Sequence, residues 1–347
     1  MAKRAKMGVS ITDVAKEAGV SVATVSRVFN QSTPVKPALK KLVLDAAKRL
    51  GYSLPDRRPG PKPGKSARKK KIGLIHFLNR ASYQAAPSST WVSLLNGVRE
   101  SAGELGVIVE DYLLSAESAM PEFVMKTDYC GFLLAGYRPL DSAEKLLKKY
   151  PCCWLMNNPW TPTWGDHVMP DHREAGMMAA EYLIRRGCKR PAFIMLGVPD
   201  RVFALRAEGF KYAAAKLGVE VNVVSAKSVM EDVPRDYPPA VYVDEIIDRY
   251  KKLGARPDGI SFDCDHSIAV LYPAMVREKL IVSGKTVLIG CNNQQIFLKG
   301  IAPHPATMEV YFSQIGQMGI AQLNWRREHP HCQRVRSLLS PKLIALS

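Results

Sequence analysis

The first 51 residues carry apolar side chains at helical spacing in three short runs. Ser10 precedes the first run as a helix cap and Gly19 follows it, because glycine tolerates the left-handed conformation that often ends a helix. Ser21 then caps a second helix predicted over residues 22–30, and a third helix ends at Gly51. The apolar positions of the first and third runs are Ile11, Val14, Ala15 and Ala18, and Leu39, Leu42, Val43, Ala46, Ala47 and Leu50. Three short helices with one small core are therefore predicted.

After residue 71 the pattern changes to short apolar runs that alternate with amphipathic ones. Strands that alternate with helices are typical of parallel sheets with helices on both faces. The length suffices for two lobes, predicted as residues 72–166 plus 297–322 and residues 167–296 plus 323–347. The predicted strands are KIGLIHFL, VIVEDYLL, YCGFLLAG, CCWLMN, PAFIMLG, DGISFDC and TVLIGC. The predicted fold is thus an α-helical domain at residues 8–56, a linker at 57–71 and an α/β domain at 72–347.

The first two helices are joined by a turn of three or four residues, which is a helix-turn-helix arrangement. In this arrangement the second helix lies in the major groove of DNA with its first turn toward the bases. Residues 1–71 hold 18 Lys and Arg against 4 Asp and Glu, so they carry +14 of the net charge of +17. Charge concentrated beside such a motif indicates a double-stranded DNA partner and predicts affinity that falls steeply with salt.

The run SITDVAKEAGVSVATVSRVFN resembles the start of LacI/GalR-family bacterial transcription regulators, I-x-D-V-A-x-x-A-G-V-S-x-x-T-V-S-R-V-x-N, at each specified position. The resemblance implies that Val22, Ala23 and Arg27 read bases. It also implies phosphate contacts from Ser21, Thr24, Ser26 and Asn30. Because Val22 and Ala23 lack hydrogen-bonding side chains, most direct readout is expected from Arg27, which can contact guanine through two hydrogen bonds. The alternative is a capped helical hairpin in an ordinary core.

The linker departs from the family pattern, in which a short hinge helix carries a leucine into the minor groove. Residues 59–64 contain three prolines and two glycines, which are incompatible with that helix. The segment instead resembles a degenerate AT-hook, an extended chain that lies in a narrow A/T-rich minor groove. Its candidate contacts are Arg57, Arg58, Lys62 and Lys65. The alternative is a flexible basic linker that adds only sequence-independent attraction.

The α/β portion resembles the effector domain of the same family, a periplasmic-binding-protein-like domain of two Rossmann-like lobes around a cleft. The landmarks are IGLI, DHREAGMMAAEYLIRRGCKRPAFI, LRAEGF and TVLIGCNN. Since open α/β sheets bind ligands at the carboxyl ends of their strands, the candidate effector residues are Trp91, Asn157, Arg206, Asp265 and Asn292. One aromatic ring, an arginine and several amide or carboxylate groups suit a carbohydrate. Family members commonly have aspartate at positions 157 and 292, so the ligand could differ. Tyr83, Gln84 and Ser88 are expected near the cleft mouth.

Other chemistry has little support. The seven cysteines have no paired C-x-x-C spacing and are expected to be mostly buried, reduced thiols. His329, His331 and Cys332 favour a surface loop over a metal site, and the chain has no nucleotide-binding glycine motif. No enzymatic activity, cofactor or metal is expected. Without a secretion signal or a spanning apolar run, a cytoplasmic protein associated with the nucleoid is expected.

Together these features predict a homodimeric transcription regulator, a repressor, that binds a palindromic operator under the control of a small-molecule effector. Two alternatives belong to other classes. An architectural protein would prefer A/T-rich DNA and ignore small molecules. A sugar-binding module would bind its ligand without any effect on DNA binding.

Overall fold

The chain divides into two units, residues 1–68 and 69–347, which are described separately. The computed structural model describes residues 9–30, 35–52, 70–78, 89–156, 164–196, 201–226, 242–282 and 284–345. None of the helices within these ranges is both long and apolar enough to span a lipid bilayer.

The first unit is a bundle of three helices: α1 (Ile11–Glu17), α2 (Val22–Asn30) and α3 (Pro37–Arg49). Each helix contributes its apolar face to one core, which consists of Val14, Ala15, Val25, Val28, Val43, Ala46 and Ala47. The predicted second helix agrees with α2, and the predicted third helix agrees with α3 to within two residues. Gly19 adopts a φ of +64° between α1 and α2, as expected of the residue that ends the first helix.

Ser10 and Asp13 form a reciprocal cap at the start of α1. The main-chain N–H of Asp13 donates to Ser10 Oγ at 3.4 Å, and the main-chain N–H of Ser10 donates to Asp13 Oδ2 at 2.9 Å. Two N–H groups that the helix itself leaves without partners are satisfied in this way. The hydrogen bonds from Ser10 also lower the pKa of Asp13.

Replacing Ser10 by alanine should therefore lower the free energy of unfolding of the first unit by about 1 kcal/mol. Urea denaturation followed by circular dichroism would measure the change. Ser10→Asp, which restores an oxygen acceptor at the cap, should recover most of the loss. Equal stability of Ser10→Ala and the wild type would contradict a stabilising cap.

The second unit begins with a parallel six-stranded sheet in the order β11-β5-β4-β3-β1-β2. Its strands are β1 (Lys71–Leu78), β2 (Ile108–Ser115), β3 (Tyr129–Gly136), β4 (Cys152–Leu155), β5 (Asp166–Pro170) and β11 (Arg336–Leu339). The accompanying helices are α4 (Ser89–Glu104), α5 (Glu122–Met125), α6 (Asp141–Leu147) and α12 (Phe312–Glu328). A side chain at Gly97 or Gly316 would overlap the backbone of the facing helix, so these glycines permit the close packing of α4 on α12.

The second lobe contains a parallel four-stranded sheet in the order β7-β6-β8-β9. Its strands are β6 (Pro191–Met195), β7 (Asn222–Ser225), β8 (Gly259–Phe262) and β9 (Val287–Ile289). The accompanying helices are α7 (His172–Arg185), α8 (Arg201–Lys216), α9 (Val243–Lys251), α10 (Asp265–Arg277) and α11 (Gln295–Leu298). A separate antiparallel pair consists of β10 (Thr307–Glu309) and β12 (Lys342–Ile344). Two parallel sheets with packed helices agree with the predicted fold class.

The lobe boundaries differ from those predicted. β5 and β11 pair with each other in the six-stranded sheet, although residues 167–170 and 336–339 were assigned to the second lobe. Asp166 explains this arrangement: it is 1% exposed and accepts bonds at 2.9 and 2.7 Å from Arg326 of α12, and one at 2.9 Å from the N–H of Val335. Burial alone would raise the pKa of Asp166, but these bonds hold it below its usual range. The carboxylate thus fastens the C-terminal segment to the first lobe.

Candidate functional site

The outer face of α2 presents the residues predicted to read bases. Val22 is 42% exposed, and Ala23 and Arg27 are also exposed, whereas Val25 on the opposite face is fully buried. A helix whose inner face is fixed by a core and whose first turn is free can enter a groove of DNA. The base-reading roles of these residues remain predictions.

The predicted phosphate contacts lie along the same helix. Ser21 Oγ accepts a bond from the main-chain N–H of Thr24 at 3.2 Å and lies 2.9 Å from Thr24 Oγ1. Ser26 is half-buried, and Asn30 is the last residue of α2. The linker candidates Arg57, Arg58, Lys62 and Lys65 lie outside the described residues, as do Asn157, Tyr83, Gln84 and Ser88.

In the second unit, Arg206 projects from α8 into a cluster of polar groups and is only 4% exposed. Its position depends on the packing of α8 against α7, where a side chain at Gly176 would overlap the Arg206 carbonyl oxygen. Arg206 donates from Nε to His172 Nδ1 at 3.3 Å, from Nη1 to the main-chain oxygen of Asp263, and from Nη2 to Asn292 Oδ1 at 3.0 Å. The guanidinium thus joins the start of α7, the end of β8 and the turn after β9.

Every acceptor in these three bonds is uncharged. Burial, reinforced by the positive charge of Arg206, lowers the pKa of His172 well below its usual range, so the ring is neutral and accepts the bond. A guanidinium has five N–H donors, and three are used within the described part of the chain. The remaining two can bind oxygen atoms of a ligand.

Asp265 holds the turn after β9 in place through hydrogen bonds of its side chain. It is fully buried, and its Oδ1 accepts from Thr307 Oγ1 at 2.7 Å while its Oδ2 accepts from the main-chain N–H of Gln294 at 2.7 Å. Burial raises the pKa of Asp265 to about 7, although these two bonds and the charge of Arg206 act in the opposite direction. Both carboxylate oxygens of Asp265 accept bonds from the protein itself, and the predicted contact of Asp265 with an effector stays a prediction.

Asp265→Asn tests this environment through the pH dependence of stability. A carboxyl with a pKa of about 7 in the folded protein and 3.8 as its reference value binds a proton only in the folded state between these values. Its contribution to stability must therefore fall as the pH rises from about 4 to about 7. Asparagine can keep both contacts, because its Oδ1 can accept from the main-chain N–H of Gln294 while its Nδ2 donates to Thr307 Oγ1, which reverses the direction of that second bond.

The free energy of unfolding of Asp265→Asn relative to the wild type should thus increase with pH, by up to about 1.4 kcal/mol per pH unit. Urea denaturation at pH 5 and pH 7 would measure this difference. His76 and His167, whose pKa values burial lowers to about 4, act in the opposite direction but equally in both proteins. A difference that does not change with pH would contradict the raised pKa.

Asn292 begins a turn that reaches across to the first lobe. The residue has a φ of 103°, a left-handed conformation that asparagine adopts more readily than most residues. Its Nδ2 donates to Gln294 Oε1 at 3.4 Å, and Gln294 Nε2 donates to Ser89 Oγ at 2.7 Å. Ser89 is the first residue of α4.

A cavity of about 620 Å³ adjoins this turn. Most of its polar lining consists of amide and hydroxyl groups from α4, the turn and the start of α12, and it includes Ser89, Ser93, Asn292, Gln294, Gln314 and Gln317. Amides and hydroxyls both donate and accept hydrogen bonds, as the hydroxyl groups of a polyol do. The cavity can therefore hold a neutral, strongly hydroxylated molecule.

Trp91, the predicted aromatic surface for a sugar, is a buried side chain, and its contact with an effector stays a prediction. It is 5% exposed, and it lies in the hydrophobic core with Leu94 and Val98, its neighbours on the inner face of α4. The ring of His76 stacks on it with a centroid distance of 4.1 Å. Because one ring face is already covered within the core, Trp91 belongs to the packing of the first lobe.

Sequence reasoning missed three residues of this site: His172, Gln294 and Ser89. His172 follows Asp171, which caps α7 by accepting from the main-chain N–H of Glu174 at 2.9 Å. This capping residue was the only signal in the sequence that could have placed His172 at the start of a helix. Within the described ranges no group of three or more His, Cys, Asp or Glu residues is suited to hold a metal ion. Cys152, Cys153, Cys188 and Cys291 are buried, Cys130 and Cys264 are half-buried, and Cys332 is exposed.

Similarities to known proteins agree with the two-unit architecture. Residues 10–54 match the family model of bacterial regulatory proteins of the lacI family, and residues 180–345 match that of the periplasmic binding protein-like domain. The chain is 25% identical over 344 residues to the ribose operon repressor of Escherichia coli strain K12, covering 96% of this chain and 98% of the repressor. It is 25% identical over 350 residues to the transcriptional repressor PurR of Mannheimia succiniciproducens, covering 96% and 97% of the two chains.

Solved structures share the fold. The complex of the transcriptional regulator CelR with cellobiose has a TM-score of 0.62 at 20% identity, covering 97% of this chain and 98% of that one. The lac repressor dimer bound to operator and the anti-inducer ONPF has a TM-score of 0.61 at 17% identity, covering 98% of each chain. The chain thus combines a helix-turn-helix segment that matches the lacI family model with a segment that matches the periplasmic binding protein-like domain, and its relatives over nearly the full length include transcriptional repressors.

Proposed function

We propose that this protein is a transcriptional repressor that binds operator DNA as a homodimer and responds to a sugar or a related polar metabolite. The observation that carries the proposal is the exposed first turn of α2, fixed by a buried inner face on a strongly basic segment. Repressors among its relatives, such as the ribose operon repressor and PurR, support this assignment. The relatives are regulators of transcription, so we infer that this chain acts by binding and is not an enzyme. We also infer that it acts in the cytoplasm, where the bacterial chromosome lies.

On DNA, Arg27 is proposed to contact a guanine edge, with Val22 and Ala23 against thymine methyl groups or sensing groove shape. Hydroxyl and amide groups along α2 would bind phosphates, which fix the register without reading sequence. These phosphate contacts are Ser21, Thr24, Ser26 and Asn30. One α2 helix covers only half of a site, and a palindromic operator therefore requires two copies of the chain. The basic linker, through Arg57, Arg58, Lys62 and Lys65, is proposed to lie along the minor groove.

The effector is proposed to bind beside Arg206 and Asn292, with Asn157 as a further candidate contact. The amide-lined cavity fits the hydroxyl groups of a carbohydrate, and it is lined by Asn292, to which Arg206 donates; two N–H donors of Arg206 have no partner among the described residues. Related structures contain cellobiose and ribose, which belong to this chemical class. The effector would alter DNA affinity by stabilising one arrangement of the two lobes over another, which requires different affinities for the two arrangements.

Selection of binding sites from random duplex DNA by the full-length protein tests the DNA-binding part of the proposal. A palindrome is expected, and an A/T-rich block within or beside it would support the role of the linker. Degenerate, merely A/T-biased sites would instead favour an architectural protein.

A second experiment tests the response to effectors on the selected site. Fluorescence anisotropy would measure DNA affinity with a panel of neutral and acidic mono- and disaccharides that includes ribose and cellobiose, and thermal shift would detect binding independently. At least one sugar should change both signals. A sugar that shifts the melting temperature but leaves DNA affinity unchanged would indicate a sugar-binding module that is uncoupled from DNA binding.

A further inference from the structure

Four side chains form a continuous series of hydrogen bonds across the second unit, and we call this series the interlobe relay. Arg206 Nη2 donates to Asn292 Oδ1 at 3.0 Å, Asn292 Nδ2 donates to Gln294 Oε1 at 3.4 Å, and Gln294 Nε2 donates to Ser89 Oγ at 2.7 Å. Both primary amides use an acceptor toward one neighbour and a donor toward the next. Each bond therefore polarises the following one in the same direction.

The relay begins and ends in different lobes. Arg206 lies on α8 and Asn292 follows β9, both in the second lobe, whereas Ser89 is the first residue of α4 in the first lobe. The Gln294 side chain makes the bond that crosses between the lobes, and it joins residues 205 positions apart in sequence.

The backbone around Gln294 is held independently of the relay. Asp265 accepts from the main-chain N–H of Gln294 at 2.7 Å, and Thr307 Oγ1 accepts from that of Asn293 at 3.2 Å. Because the turn is anchored in this way to the second lobe, loss of the Gln294 side chain would remove the crossing bond without releasing the turn. The anchoring also means that the bond to Ser89 can persist only at a limited range of lobe separations.

We infer that Gln294 is a positioning residue that transmits the state of the Arg206–Asn292 pair to Ser89 and thereby sets the separation of the two lobes. This inference rests on the proposed function, since it assigns the lobe movement to the effector site. A ligand oxygen that binds Arg206 or Asn292 competes with a bond of the relay and changes the hydrogen bonding available to Gln294. Binding of a ligand in the second lobe thus changes the hydrogen bond that Ser89 accepts at the start of α4 in the first lobe.

The relay can be tested without knowing the ligand, by measuring the lobe separation with pulsed electron paramagnetic resonance. One spin label is placed on the exposed Cys332, between α12 and β11 of the first lobe, and the other on Lys252→Cys after α9 of the second. The doubly labelled full-length chain is mixed with a large excess of unlabelled chain, so that distances between subunits do not contribute. Gln294→Leu and Ser89→Ala each remove the crossing bond, whereas Ser89→Thr keeps the hydroxyl.

Gln294→Leu and Ser89→Ala should increase the population of more widely separated lobes about twofold to tenfold, the equilibrium effect of one hydrogen bond. Ser89→Thr should resemble the wild type. Gln314→Leu and Ser93→Ala are matched controls, because these residues line the same cavity but are not members of the relay. They should also leave the distance distribution unchanged.

The inference would be overturned if Gln294→Leu and Ser89→Ala gave the wild-type distribution, or if the two controls changed it equally. Failure of the proposed function has a different signature, since no sugar of the panel would then alter DNA affinity even though the relay variants changed the lobe separation. Where a sugar does alter DNA affinity, Gln294→Leu should reduce that response about twofold to tenfold while the affinity for DNA alone is preserved.

Discussion

Arg206→Ala should abolish the effect of the effector on DNA binding while it leaves binding to DNA alone intact. The substitution removes the donors to His172, Asp263 and Asn292, and with them the guanidinium that is proposed to orient a ligand beside the turn. Because this arginine is buried and its partners lose their bonds, the free energy of unfolding of residues 69–347 should also fall by about 2 to 4 kcal/mol. Residues 1–68 form a separate unit with its own core, so their folding should persist.

The measurement combines DNA affinity, with and without an active sugar, and urea denaturation of the same protein. Arg173→Ala is a matched control, because Arg173 lies on α7 and forms an exposed ion pair with Glu208 at 2.9 Å. An exposed pair of this kind contributes at most about 1 kcal/mol, and the control should keep its response. Loss of DNA binding in Arg206→Ala under conditions where the chain is folded would show that Arg206 has a structural role beyond the effector site.

The parts of this protein that the sequence predicted well are those determined by neighbouring residues or by the general geometry of parallel sheets. The helix-turn-helix depends on a cap at Ser10, a left-handed Gly19 and apolar residues three or four positions apart, all within one short segment. Arg206 and Asn292 were expected at the same edge of a sheet, where the ends of parallel strands and the helices after them meet, and their role in binding an effector stays a prediction. Their bond at 3.0 Å joins two positions selected on that ground.

The parts of the structure that the sequence predicted poorly depend on contacts between residues that are far apart in the chain. Trp91 was selected for its position at the start of a helix after a strand, but its place on the inner face of α4 with Leu94 buries it in the core. The lobe boundary depends on Asp166 and Arg326, which are 160 residues apart, and no local pattern indicates that pair. The bond between Gln294 and Ser89 could not be inferred either, since these residues are 205 positions apart. In addition, a glutamine and a serine in polar segments are more often solvated than paired with each other.

The local contacts of the first unit and the long-range contacts of the second unit also differ in how they can respond to a ligand. The first unit is determined by local signals and needs only its small core, so the exposed face of α2 that is proposed to read DNA can keep its shape whether or not an effector is bound. The bond from Gln294 to Ser89 instead joins the two lobes, and it is expected to break when the lobes separate. A response to ligand is therefore expected to alter how the two reading helices of a dimer are placed, while the contacts of each helix with its half-site stay the same.

Arg27→Ala should weaken binding to the best operator about 5- to 150-fold, which corresponds to the roughly 1 to 3 kcal/mol of one bidentate contact between arginine and guanine. Arg27 is exposed on α2, so the stability of the first unit should not change. Binding-site selection with the variant should relax the preference at one base pair of each half-site. Fluorescence anisotropy at several salt concentrations would measure both the affinity and its salt dependence.

The salt dependence distinguishes the two roles that an arginine can have on DNA. If Arg27 reads a base, affinity for the selected site should fall far more than affinity for random DNA, and the slope of log affinity against log salt should stay nearly the same. If it binds a phosphate, both affinities should fall alike and the slope should decrease by about one. Val22→Ala is the matched control on the same face, since it removes apolar contacts without a charge and should affect only a neighbouring base preference. Equal losses on all sequences for Arg27→Ala would assign the direct readout to another residue of α2.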